Sequence, residues 1–316
     1  MPKSATAFQR VRYSIGEWYG QAFEQLTAAK RRQLAKVELE VDALTGTQCP
    51  FQHDSICNKK GGVCSLRLYG QTGSAPTVGS GHIITTCPSR FLEKDTIFGW
   101  VGETILGSSA PIVLGEIGFL DRIKVGSASI DDESESQDLI GRIDNVLVHP
   151  SQTPLNWCAL ELQAVYFSGG KMRKEFQLLN DWAQNTMPFP AAHRRPDWRS
   201  SGPKRLLPQL QTKVPTIRTW GKKMAVVIDE AFFESLIGLD AEKHLSNAEI
   251  AWFVVGYDLT ADGWQLKPRK VVYTRLESSV KALTGGLPLS KEQFEQQLRS
   301  KLATAHPGHP LTEKPQ

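Results

Sequence analysis

The chain has 316 residues, 40% of them hydrophobic and 22% charged, with five cysteines and a formal net charge of +4. That length supports a large core in one domain or two. The composition excludes a disordered chain, and no apolar run is long enough to span a bilayer. Met1-Pro2-Lys3-Ser4-Ala5 leads into polar residues without the apolar stretch of a signal peptide, so a cytoplasmic protein is expected.

In chain order, residues 1–47 are predicted to be helical. Aromatic and apolar positions recur through Tyr13, Trp18, Phe23 and Leu26, and a charged run fills 30–40. Residues 48–90 form a cysteine region holding Cys49, Cys57, Cys64 and Cys87. An odd total without a secretion signal argues against disulfides, whereas four thiolates match a tetrahedral zinc or iron site. Pro50 and Pro88 each follow a cysteine and Gly61-Gly62 precedes Cys64, as in tight turns around a small cluster. His53 or His82 could replace one ligand, and buried, unliganded thiols are the plainer alternative. A short strand over 80–86 delivers Cys87. Cys158, the fifth, reads as an ordinary core residue.

Residues 89–123 are predicted to be helical, with Glu116 inside the apolar stretch 112–120, where an acid needs a partner. Residues 131–138 are an acidic, solvated loop. Two strand-like runs, 141–150 and 157–167, then carry Asp144 and the triplet Glu161-Leu162-Gln163. Positions 161 and 163 lie two apart and face the same way. Two buried acids without a counter-charge are costly, and a divalent metal removes that cost while activating water for phosphodiester hydrolysis. An Asp at a strand end can equally be a turn former, and a Glu in a strand can lie on a solvated face.

After a break at 168–170, a helix is predicted over 171–185. Residues 186–221 are proline-rich without a period and read as a long loop. That loop contains most of the stretch 194–223, where nine lysines and arginines stand against one acid, Asp197, leaving the rest of the chain net negative. Such asymmetry points to an anionic partner, with Arg194, Arg195, Lys204 and Arg205 as the first candidates for DNA contacts. A strand at 224–229, a helix at 230–237 and two strands at 250–257 and 265–274 joined by a turn at 261–263 come next. An amphipathic helix over 290–301, with Ser290 as N-cap and Gln293 in the capping-box position, precedes a frayed tail. Across 105–229 the order is helix, strand, strand, helix, strand.

The chain resembles the NotI-type restriction endonucleases. The resemblance rests on Cys49-Pro50-Phe51, Gly62-Val63-Cys64-Ser65, Gly81-His82-Ile83 with Thr85-Thr86-Cys87-Pro88-Ser89-Arg90-Phe91, Gly141-Arg142-Ile143-Asp144, Glu161-Leu162-Gln163, and Ser201-Gly202-Pro203-Lys204-Arg205-Leu206 with Pro208-Gln209-Leu210. It implies an α/β fold with a PD-(D/E)xK restriction-endonuclease-like core and an embedded small four-cysteine metal-binding knuckle. It implies a type II enzyme working as a homodimer on a palindromic, GC-rich site in double-stranded DNA, with Mg²⁺. Asp144 and Glu161 become the Mg²⁺ ligands, Gln163 takes the usual lysine position, and Glu116 is an outer acid from the preceding helix. The four cysteines become an iron or zinc site that places DNA-contacting elements. The expected organisation is a helical region to residue 47, the four-cysteine metal-binding region at 48–90, the nuclease core at 91–289, and a C-terminal helix and tail at 290–316. A repair or phage-defence nuclease without a strict site would share this core. A non-catalytic DNA-binding protein would share only the knuckle, and the Asp144, Glu161 and Gln163 set counts against it.

Overall fold

The computed structural model describes residues 10–40, 47–52, 55–72, 75–79, 81–121, 139–169, 171–285 and 289–302. The expected acidic loop at 131–138, His53 and the tail from residue 306 lie outside them. The chain divides into two compact units, Met1–Thr284 and Gly285–Gln316.

The first unit begins with a strand. β1 (Arg10–Trp18) turns through β2 (Gln21–Ala22) into α1 (Ala28–Glu40). The helix expected over the first part of the chain is therefore corrected. Val11, Tyr13, Ile15 and Trp18 are β-branched or aromatic and fit a pleated strand better than a helix. β1 pairs antiparallel with β3 (Val63–Thr72), which also carries β4 (Ala75–Val78) and β5 (Ile84–Thr85), making a small five-stranded sheet. Its core joins Ile15, Trp18, Phe23, Leu66 and Tyr69 to Phe176 and Leu179, with the Trp18 and Phe176 rings stacked at 5.2 Å.

A second correction concerns 89–123. Only α2 (Thr96–Leu106) is an α-helix. Gly107, at φ +73°, ends it, and 112–121 form the strand β6 (Ile112–Asp121). Ile112, Val113 and Ile117 are β-branched and Gly115 and Gly118 weaken any helix, which explains the outcome. β6 is the edge of a six-stranded mixed sheet that continues through β7 (Leu139–Val148), β8 (Trp157–Leu162), β11 (Met224–Asp229), β12 (Ile250–Thr260) and β13 (Gly263–Thr274). β8, β11 and β12 run parallel, and both flanks are antiparallel. β11 is buried along its whole length, as a central strand covered on both faces requires.

Between β8 and β11 the chain forms β9 (Phe167–Ser168), α3 (Arg173–Asp181), β10 (Arg195–Pro196), α4 (Trp198–Ser201), a π-helical turn at Gly202–Leu206 and α5 (Leu207–Thr219). α6 (Glu230–Glu234) and α7 (Leu276–Thr284) complete the unit. α5 and α7 cover one face of the large sheet over Ala159, Val226, Ile228 and Trp252. α2 covers the other over Cys158, Leu160, Val227 and Phe253.

The two sheets meet at β5 and at Arg90. Thr85 pairs with Ser65 of the small sheet, accepts the Val165 N–H at 2.7 Å and donates its own N–H to Asp229 at 2.7 Å. Arg90, fully buried, donates to Glu17 at 2.9 Å and to the Trp264 carbonyl at 2.8 Å.

In the second unit α8 (Lys291–Leu302) carries the expected capping box. Gln293 N–H donates to Ser290 Oγ at 3.2 Å and Ser290 N–H to Gln293 Oε1 at 3.0 Å.

Candidate active site

Asp144 and Glu161 come from neighbouring antiparallel strands. The pairs Asn145↔Leu160 and Val146↔Ala159 set a register that, carried one step further, puts Asp144 opposite Glu161. Here β8 leaves β7 and continues on β11, with Val226 beside Glu161. Glu161 shares the α5-facing side of the sheet with Ala159. Its side chain is only 2% exposed, whereas Asp144 is 54% exposed and forms the open rim.

The occupant of this carboxylate pair escaped the sequence reading. Lys213 of α5 is buried, with Nζ 2.7 Å from Glu161 Oε2, 2.6 Å from Gln209 Oε1 and 4.0 Å from Asp144 Oδ1. Burial pushes the Glu161 carboxyl up to about 7, Lys213 pulls it down and the nearby Asp144 pushes it up again. The loop expected over 186–221 is thus helical from 198 to 219. Pro203 lies in the π-helical turn, Pro208 just after it at the second position of α5, and Pro215 on the exposed side. The legible signal was the stripe Leu207, Leu210, Lys213, Val214 and Ile217. It is helical in spacing, with one base where an apolar residue belongs.

Gln163 follows β8, buried, with its N–H on the Val227 carbonyl at 3.0 Å and its carboxamide donating to the Ala164 carbonyl. Glu116 sits on β6 and not on a helix. It lies between the pairs Gly115↔Asn145 and Ile117↔Ile143, across from Asp144, at φ +43°. Its carboxylate is exposed and accepts from Arg142 at 2.8 Å.

The four clustered cysteines arrive in two pairs. Cys49 and Cys57 flank the bridge Gln48↔Ile56, with N–H bonds of 2.8 Å to the Ser55 and Thr47 carbonyls respectively. Cys64 and Cys87 meet where Thr86 and Cys87 donate to the Cys64 carbonyl at 2.9 and 3.2 Å. The expected turn before Cys64 is present, with Gly61 and Gly62 at φ +80° and +61°. Burial raises the Cys57 thiol, and the neighbouring Cys49 and Cys87 raise it further. Burial likewise raises Cys64, with smaller contributions from Glu17 and Cys87. All four thiols are free. Among the described residues no three His, Cys, Asp or Glu side chains are gathered to hold a metal ion. His82 lies against Glu234 at 3.0 Å and Glu230 at 3.5 Å. Cys158 is fully buried in the large sheet, and burial pushes its thiol up to about 12.

Within the basic stretch, Arg194 is buried and donates to the Lys171 carbonyl at 2.8 Å. Arg195, Lys204 and Arg205 are exposed. The Arg205 guanidinium lies 3.8 Å over the ring of Tyr166, three residues beyond Gln163. The bridge Tyr13↔Arg194 brings β1 alongside, adding Arg10 and Arg12, which stack on Phe189 at 4.9 and 5.3 Å. The strand conformation of 10–18, and not a helix, is what places this pair here.

No helix among the described residues is long and apolar enough to cross a membrane. A comparison with curated proteins gives no match. A protein-family model described as restriction endonuclease NotI matches residues 31–267.

Proposed function

The chain belongs to the NotI restriction endonuclease family, and from that premise we propose that it is a type II restriction endonuclease that hydrolyses double-stranded DNA at a GC-rich palindrome, with Mg²⁺. The supporting observation is Asp144 opposite Glu161 on adjacent strands, with a buried ammonium already between them. The donors fit a hard divalent cation. Both are carboxylates, one is buried, and the other is open to an incoming phosphate. A cation held there would acidify water and neutralise charge on the phosphate. Asp144 and Glu161 would be its ligands, Gln163 would fix the end of β8 beside them, and Glu116 would be an outer acid on the same rim. This arrangement is the basis for assigning a PD-(D/E)xK core.

The reaction joins a water oxygen to phosphorus and breaks one ester P–O bond, and a proton from the water ends on the departing oxygen. Arg195, Lys204 and Arg205 are exposed on the connection between β8 and β11 and suit backbone phosphates. The thiol neighbourhood of Cys49, Cys57, Cys64 and Cys87 suits a structural iron or zinc ion. Its position beside β5 would brace the seam between the sheets.

Incubating supercoiled plasmid with Mg²⁺ tests the assignment. Wild-type protein should give discrete bands. Glu161→Ala and Asp144→Ala should abolish cleavage and still shift DNA in Ca²⁺. Wild-type turnover in either variant would refute the site. Elemental analysis of the purified protein should find one iron or zinc per chain, retained in Cys158→Ser and lost when any of the other four cysteines is changed to Ser.

A further inference from the structure

Lys213 contacts both carboxylates, and the chemistry proposed above gives it no part. It occupies the centre of the α5 stripe, between Leu210, Val214 and Ile217, where an apolar side chain would pack against the sheet. A buried ion pair is a poor substitute for such packing. Stability alone is therefore a weak reason for a lysine here. The side chain of Gln163 carries no charge and is turned to the Ala164 carbonyl. Among the described residues, Lys213 is consequently the cation within reach of both Asp144 and Glu161. An ammonium has three donors. Two meet Glu161 and Gln209, and the third side faces Asp144 and the open rim.

We infer that Lys213 is a catalytic residue of this site, whose ammonium holds the carboxylate pair in the free protein and donates to the scissile phosphate during hydrolysis. The inference rests on the nuclease reading above. A lysine stem is long and flexible enough for Nζ to swing from Glu161 toward the rim while α5 stays packed. Its charge there offsets the negative charge gathering on the phosphate oxygens as the water bonds and the ester bond breaks. No proton needs to leave the ammonium.

The test compares wild type, Lys213→Met, Lys213→Arg and Glu161→Ala in three measurements. These are calcium binding by calorimetry without DNA, binding in calcium of the plasmid fragment that wild type cuts, and single-turnover cleavage in magnesium. Lys213→Met should still bind calcium and the fragment, yet cleave about 10²–10³-fold more slowly, the loss seen when one charge-stabilising donor is removed. Lys213→Arg should cleave faster than Lys213→Met, because it keeps the charge. Cleavage by Lys213→Met at the wild-type rate overturns the inference. Loss of calcium binding in both lysine variants also overturns it, by reducing Lys213 to a support for Glu161. If wild type does not cleave, or Glu161→Ala cleaves as wild type does, the nuclease reading itself fails.

Discussion

Arg90 shows how much a single side chain can carry. Its guanidinium is buried, paired with Glu17 and Glu93, capped by the Trp264 carbonyl, and set between the rings of Phe51 and Tyr257 at 4.5 and 4.6 Å. Glu17 in turn accepts from Ser65 at 2.8 Å. The charge thus fastens the small sheet to β13. Removing one partner of such a pair leaves the other charge buried. Arg90→Met should cost about 3–5 kcal/mol in urea unfolding, and Glu17→Gln with Arg90→Met should recover part of that loss. Equal stabilities for Arg90→Met and wild type would show that the pair is not the fastening. Asp144 and Glu161 stand out in the sequence as candidates because acids in apolar strands are conspicuous. Lys213 does not, because a lysine is common in a basic segment and only the helix puts it on a buried face.

At the scale of elements, the proline content of 186–221 concealed a helix, and the aromatic spacing of 10–18 concealed a strand. In both, tertiary packing decided a pattern that local residues left ambiguous. β7, β8, β11, β12 and β13 were readable because their apolar runs are long and sharply bounded. The junction of β11 with α6 carries a further expectation. Asp229 caps α6 through the Phe232 N–H at 2.8 Å and holds Thr85, but full burial wins and pushes its carboxyl up to about 6 from 3.8. A raised folded pKa means that the native state binds the proton more tightly. This contribution to stability is complete below about pH 3.8 and is lost as the pH rises through about 6. Asp229→Asn retains a capping side chain and removes the charge. Its amide keeps only one of the two accepting oxygens, so the Phe232 or the Thr85 N–H meets a donor and the variant should be less stable than wild type near pH 4; that deficit should shrink by at most about 3 kcal/mol by pH 7. Denaturant melts at the two pH values measure this, and a constant difference between them would count against the assignment.

For the whole molecule, a proposed site with one carboxylate pair cuts one strand at a time. Cleavage of both strands of a palindrome calls for two copies related by a two-fold axis. Sedimentation on DNA should find a dimer, and early time points should show linear product with little accumulated nicked circle. A monomer that only nicks would favour the nuclease without a strict site. Gly285–Gln316 is a compact unit of its own.

Thr85 gives β5 a consequence beyond architecture. This two-residue strand is held by Ser65 on one side, and on the other by Val165, two residues past Gln163, and by Asp229. Cys64 and Cys87 lie one and two residues from that seam. A disturbance of the thiol corner therefore has a route through hydrogen bonds to the segment that follows β8. The amide of Val165 is the natural reporter. Its deuterium uptake should accelerate when the thiols are alkylated, while Val226 in the middle of β11 stays protected.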